Sequence, residues 1–185
     1  GLGFGRVLDE HGKGAGFVVD DASAPIVKFQ NLDSFGGPPV VLTNASAKNT
    51  LVVESCGVKI VGDGAGDIFI TDCPAGVHLK KKGQSCWARH LNPEGDSDTG
   101  LVQNDGGTLW CLGVKHEGRG VRIATRAGGR TEILGLFNYG GTKDENDPRP
   151  NFIVEDSSFT LAGIREIAFN QHTFLNKVRE TRAGE

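Results

Sequence analysis

The chain has 185 residues, 37% of them hydrophobic and 23% charged, a composition that suits one domain with a sizeable core and leaves little room for disorder. Twenty lysines and arginines stand against 23 aspartates and glutamates, a net charge of −3 that argues against nucleic acid as a partner. No run of about 18 apolar residues reads as a membrane span and no basic-then-apolar stretch reads as a leader, so a soluble mature chain is expected.

The sequence contains no methionine, at position 1 or elsewhere, as expected of a processed product or a fragment. Its 28 glycines follow no triplet period and should serve turns. Four cysteines, Cys56, Cys73, Cys86 and Cys111, have neither C-x-x-C spacing nor paired histidines nearby, which disfavours zinc.

Residues 1–16, rich in glycine, read as an N-terminal segment or cap. From there a short apolar unit ending in polar or glycine residues recurs seven times: FVVDD at 17, VVLTN at 40, VKIVG at 58, VHLKK at 77, LVQND at 101, VRIAT at 121 and FIVED at 152. Most copies are followed by a polar or glycine turn and a second strand-like run, among them TLVVESC, DIFITDC, SCWARHL, TLWCLGV and TEILGLF. Such runs are too short for helices and are rich in β-branched and aromatic residues. Two strands per unit, stacked parallel on the preceding unit, are predicted over 17–170. The expected fold is all-β, a right-handed parallel β-helix of about seven rungs, with 171–185 as a C-terminal tail or cap.

Period-two alternation places Val40, Val58, Val77, Leu101 and Val121 inside, together with Leu42, Ile60, Leu79, Gln103 and Ile123, and turns Val41, Lys59, His78, Val102 and Arg122 outward. In the second strand Leu51, Ile68, Cys86 and Leu109 point inward, as do Val53, Ile70, Ala88 and Cys111, leaving Val52, Phe69, Trp87 and Trp110 outside. After a bend, Cys56, Cys73, Leu91 and Val114 turn inward again, so Cys56 and Cys73 are expected one above the other, as stacked buried thiols or as a disulfide. Three long connections, from 31, 92 and 138, should emerge at one corner. Neither end reads as an apolar cap, so further rungs or another chain are expected to cover the ends of the stack.

The repeats, with the blocks WARHLNPEG, NDGGTLWCLGVKHEG and GGRTEILGLFNYGG, resemble the pectate-lyase-like β-helix superfamily over roughly residues 17–165. That resemblance implies an extracellular or cell-surface protein that binds, and as a lyase or hydrolase cleaves, an anionic polysaccharide. The polygalacturonase blocks NTD, DD, GHG and RIK are absent, only GVRIAT at 120–125 approaching the last, so no catalytic residue carries over.

The residues themselves offer four constellations. Phe69, Trp87 and Trp110, with Arg89 nearby, could form an aromatic strip that stacks sugar rings. His90 and Glu94 on one rung, with Asp96 and Asp98, face Lys115, His116, Glu117 and Arg119 on the next, an inventory of acids and bases suited to lyase or hydrolase chemistry. The carboxylates of Asp96, Asp98, Asp144, Glu145 and Asp147 could hold calcium. Finally, Lys80, Lys81 and Lys82 with Lys59, Arg122 and Arg126 form a basic patch suited to an anionic glycan. Asn44-Ala45-Ser46 matches a glycosylation acceptor. The reading from a different class is a non-catalytic surface or structural solenoid serving adhesion or assembly.

Overall fold

A computed structural model describes residues 16–21, 23–32, 39–142, 144–169 and 172–183, and among them the secondary structure is strands and turns with no helix. Odd-numbered strands build one parallel sheet of eight: β1 (Gly16–Val19), β3 (Val41–Asn44), β5 (Lys59–Gly62), β7 (Gly76–Leu79), β9 (Val102–Asp105), β11 (Ile123–Arg126), β13 (Phe152–Glu155) and β15 (Val178–Thr181). Even-numbered strands build a second parallel sheet of seven: β2 (Ile26–Gln30), β4 (Thr50–Glu54), β6 (Ile68–Cys73), β8 (Ser85–Leu91), β10 (Thr108–Arg119), β12 (Arg130–Gly141) and β14 (Ser158–Ile167). The chain thus visits the sheets alternately, each strand pairing with the strand two before it and the strand two after it. The segment 1–15, most of the expected N-terminal cap, lies outside the described residues.

In the seven-stranded sheet the alternation behaves as the sequence pattern predicts. Leu51, Ile68, Cys86 and Leu109 stand in one hydrogen-bonded column, and Val53, Ile70, Ala88, Cys111 and Ile133 in another, all buried. The partner sheet departs from expectation by a register slip. Val77 pairs with Ile60 rather than with Val58, and the inner column runs Leu42, Ile60, Val77, Val102, Ile123, Phe152. Val102, expected outside, is therefore buried, whereas Gln103, expected inside, lies half-buried with its amide donating to Thr99 Oγ1 and the Gly100 carbonyl. The two-residue offset between β5 and β7 leaves the faces unchanged, and the exchange arises at β9, where Val102 rather than Leu101 stands beside Val77 and a one-residue shift turns each side chain to the other face. Val121, also expected in the main core, packs instead with Ala124 and Ile153 in a small separate cluster.

Polar side chains inside the stack close the turns between the sheets. The Asn44 amide donates to the carbonyls of Asn49, Gly66 and Asp67 at 3.1–3.2 Å, satisfying a turn in its own unit and one in the next. Asn104, two strands farther along the same column than Gly62, repeats the device: its Nδ2 donates to Gly107 O, Arg130 O and Thr131 Oγ1, and its Oδ1 accepts from Gly107 N at 2.8 Å. Asn44 is fully buried by this role, so the glycosylation reading of Asn44-Ala45-Ser46 fails in the folded chain.

All four cysteines are buried and free. Cys56 and Cys73 are neighbours as expected, the Cys56 amide donating to Cys73 Sγ at 3.4 Å, and burial pushes the Cys73 thiol up to about 11 and Cys111 to about 12. They are core-filling thiols, protonated at neutral pH. At the far end, the stretch expected to be a tail without repeat signal contributes β15, which pairs in parallel with β13 from Phe152↔Val178 to Glu155↔Thr181.

Replacing Asn104 by alanine removes four hydrogen bonds and leaves buried backbone acceptors unpaired, which should lower stability by about 3 kcal/mol. Equilibrium urea unfolding of wild type and Asn104→Ala checks this; a change of a few tenths would mean that the turns do not depend on the side chain.

Candidate functional site

Each strand of the second sheet bends at one residue with a left-handed backbone. The column runs Asn31, Ser55, Asp72, His90, Gly113, Gly135, Gly163, with φ between 51° and 83° throughout. A left-handed residue with a side chain costs about 1–2 kcal/mol unless it is Asn, Asp or Gly. The first four units accept side chains at the bend and the last three carry glycine. Beyond the bend the chain points inward again, with Cys73, Leu91, Val114 and Leu136 buried in register.

Loss of three consecutive side chains opens a groove of about 560 Å³ along the bend, headed by His90 and floored by the three glycines. A Cβ at Gly135 would meet nothing within 4 Å, so the space is real rather than filled by neighbours. Arg89, Leu112, Leu134 and Ala162 form one column beside the bend, and Lys115, Phe137 and Arg165 form the other. Leu112 and Leu134, exposed at 57% and 47%, border with Arg89 the neighbouring depression, whereas the exposed apolar residue lining the groove itself is Ile164. Phe137 meets Tyr139 edge-on at 6.1 Å, which leaves at least one of its faces without an aromatic neighbour.

The charges around this groove are asymmetric. Arg165 lines the groove and Arg89 borders the neighbouring depression; both are exposed, and neither forms an ion pair among the described residues. Lys115 donates to Glu117 Oε2 at 2.7 Å, a bond that raises the affinity of its ammonium for the proton, and its Nζ lies 5.5 Å from the Tyr139 ring centroid. At the head of the groove His90 Nδ1 lies 2.7 Å from Asp72 Oδ1, both residues occupying the bend column on adjacent strands.

The aromatic strip lies outward and in register, Phe69↔Trp87↔Trp110, but its geometry differs from a sugar platform. Ring centroids are 4.8 and 5.2 Å apart with planes 11° and 12° from parallel. Rings lying side by side in one plane cannot approach so closely, so these stack face to face along the strand-to-strand direction. Their faces meet one another and mainly edges meet solvent, which corrects the expectation of a flat stacking surface. Trp87 and Trp110 are half-buried, and the shallow depression of about 270 Å³ beside them is bounded by Arg89 and Glu132.

The acid–base corner does not assemble as a unit. His116 is fully buried, in register with Asn138 and Glu166 inside the fold, and cannot touch a ligand on the surface. Neither of its ring nitrogens makes a hydrogen bond of ordinary geometry, the Pro93 carbonyl offering only a weak contact. Burial, helped by the nearby Arg122 charge, depresses its basicity to about 3, so it is a neutral core residue. Glu94 accepts from the Asn92 side chain, and Arg119 is held by Asp96, its backbone N–H donating to Asp96 Oδ1 at 2.8 Å. Of the six acid–base candidates only His90 and Lys115 line the groove, with Glu117 reaching it through Lys115.

Two further expectations are corrected. Arg149 sits between Asp98 and Asp147, pairing with both, so these carboxylates do not converge on a cation. Among the described residues no three His, Cys, Asp or Glu side chains gather as a metal site. The basic patch loses two of its six members: Arg122 is fully buried, its Nε donating to Asn138 Oδ1 at 3.1 Å, and Arg126 pairs with Glu155 at 3.0 Å and Asp105 at 3.8 Å, while Lys59, Lys80, Lys81 and Lys82 are exposed.

Sequence reasoning missed Asp72, Phe137, Arg165 and the three bend glycines. The signal was present: aligning ARHL with CLGV, ILGL and LAGI puts His90, Gly113, Gly135 and Gly163 in one column. Compared with family models, curated proteins and solved structures, the chain matches none.

His116 yields a pH test. Its folded-state value lies below the unfolded value near 6.5, so the unfolded chain binds a proton that the folded chain refuses. Stability should therefore fall as pH drops from about 6.5 toward 3, by up to about 1.4 kcal/mol per pH unit from this group. His116→Leu should flatten that part of the stability–pH curve measured by urea unfolding; an unchanged slope would show that the imidazole is not buried.

Proposed function

We propose that this chain is a right-handed parallel β-helix related to the pectate-lyase-like superfamily, and that it binds an anionic polysaccharide outside the cell along the bend groove. The two alternating parallel sheets are compatible with such a solenoid, each pair of strands forming most of one turn. The observation that carries the functional reading is the run of bend glycines, which clears a channel lined by Lys115 and by Arg165, an arginine without a carboxylate partner among the described residues.

Four facts of scale and chemistry support a polymer. From His90 to Gly163 the groove crosses three strand-to-strand steps, about 14 Å, long enough for a short oligosaccharide. It is open along its length, as a chain that continues past the site requires. Phe137 and Ile164 suit the apolar faces of sugar rings. A guanidinium pairs with carboxylate or sulfate in a planar fork, and Arg165 lines the groove where it can do so.

The structural-solenoid reading draws on a different feature, the uncovered final strands. There an open depression of about 460 Å³ runs past Phe152, Phe159, Leu161 and Val178, a surface that another chain or further rungs would cover.

Isothermal titration against polygalacturonate, alginate, a sulfated glycan and a neutral glycan tests the binding reading. Affinity for an acidic polymer is expected, weakening as salt is raised. Gly135→Asn supplies a side chain that tolerates the left-handed backbone and projects into the channel, and should weaken binding tenfold or more, about 1.4 kcal/mol, with little change in thermal midpoint. Arg165→Ala should weaken it about tenfold. Equal affinity for neutral glycan, or undiminished binding by Gly135→Asn, would overturn the proposal.

A further inference from the structure

We propose that the outward face of the seven-stranded sheet is a dimer interface, on which a second copy of this chain docks about a two-fold axis centred on Trp110 and Leu112. This inference stands apart from the binding reading, because the residues lining the bend groove and those lining the neighbouring depression have none in common.

The register sets two outward columns side by side on this face. One runs Phe69, Trp87, Trp110, Glu132 and the other Thr71, Arg89, Leu112, Leu134. Phe69, Leu112 and Leu134 are exposed, and the stacked rings of Trp87 and Trp110 turn their edges outward beside them. The depression of about 270 Å³ lies among these groups. An apolar patch with a charged rim on a solvent face is the usual mark of a surface that another protein covers.

The charges at the rim select the occupant. Arg89 on β8 and Glu132 on β12 stand at diagonally opposite corners of a six-residue face completed by Trp87, Trp110, Leu112 and Leu134. Two strand spacings and two residues separate them, about 12 Å, too far for a pair within one molecule. Arg89 has no ion-pair partner among the described residues, and Glu132 is held there only by Arg130 of its own strand, at 3.5 Å.

A two-fold axis lying in the interface and bisecting that diagonal carries Arg89 of each copy over Glu132 of the other, so the contact forms twice. The same rotation sets Trp87 and Trp110 of one copy over Trp110 and Trp87 of the other, and Leu112 and Leu134 over Leu134 and Leu112. Within the six-residue face apolar meets apolar, acid meets base, and no like charges are opposed. An unrelated partner needs no such exchange, which is why the face points to a second copy. Buried tryptophan and arginine are also the side chains that contribute most at interface centres. From β4 to β14 the face measures about 24 Å across the strands and about 16 Å along them, small beside permanent interfaces. The dimer should therefore exchange with monomer in the micromolar range.

Sedimentation equilibrium of the full chain, from micromolar to submillimolar concentration, tests the proposal. Wild type should pass from monomer to dimer and no further, since an isologous contact closes on itself. Leu112→Lys combined with Leu134→Lys should stay monomeric, with little change in thermal midpoint because both side chains are exposed. Arg89→Glu and Glu132→Arg should each weaken dimerisation about tenfold or more, as two like-charged contacts replace two unlike ones. Mixed in equal amounts, these two variants should recover the wild-type affinity as a heterodimer, in which both contacts are again opposite in charge. A wild type that is monomeric throughout, a dimer indifferent to the two leucine substitutions, or a mixture no tighter than its components overturns the proposal. The binding reading is judged separately by its own titration.

Discussion

The structure depends on the parallel hydrogen-bonded register of the seven-stranded sheet. From the Lys28 column to its continuation at Thr160, the outward position of every strand lines up with that of the next. A residue type placed once in the repeat is therefore placed beside its counterparts at about 4.8 Å. Stacked aromatics, stacked thiols and the bend column are three results of this one constraint. It also explains why isolated motifs say little here: chemistry arises between units, across the strands, rather than within any one of them.

The bend shows how such a column can be changed without disturbing the stack. Every unit needs one left-handed residue, and Asn31, Ser55, Asp72 and His90 meet the need with side chains that occupy the corner. Glycine meets it with less strain and leaves space. Replacing side chains by glycine over three units therefore relieves the backbone and cuts a channel in the same act, while the residues before and after each bend keep their places in wall and core. The interior carries the opposite kind of compromise. His116 and Arg122 are polar groups with no exposure, partly without partners, in a region otherwise held by the Asn138 and Glu166 side chains.

Much of this architecture is legible in the sequence because apolar alternation in the second strand is clean. Leu51, Ile68, Cys86 and Leu109 read as one inward column, with Phe69, Trp87 and Trp110 outside them, and the structure has them so. The first strand was legible in large part, Val40, Leu42, Val58, Ile60, Val77, Leu79, Val121 and Ile123 being buried as read. The errors lie at β9, read one residue out of frame so that Val102 and Gln103 exchanged faces, and at Arg122, which is buried just before β11. The site was hidden for another reason. Side-chain chemistry is visible in a sequence and its absence is not, so His90 and Lys115 drew attention while Gly113, Gly135 and Gly163 read as ordinary turn residues. Nor does outward direction specify ring orientation, which is why an aromatic strip was legible and its face-to-face stacking was not.

The register is the claim on which the groove, the bend column and the proposed surfaces all stand, and the aromatic column reports it directly. Nuclear Overhauser contacts among the three rings provide the measurement. Cross-peaks should join Phe69 to Trp87 and Trp87 to Trp110, with none between Phe69 and Trp110, which lie two strand spacings apart at about 9.6 Å. A direct Phe69–Trp110 contact, or no contact between the two indoles, would contradict the stacking order and the site built upon it.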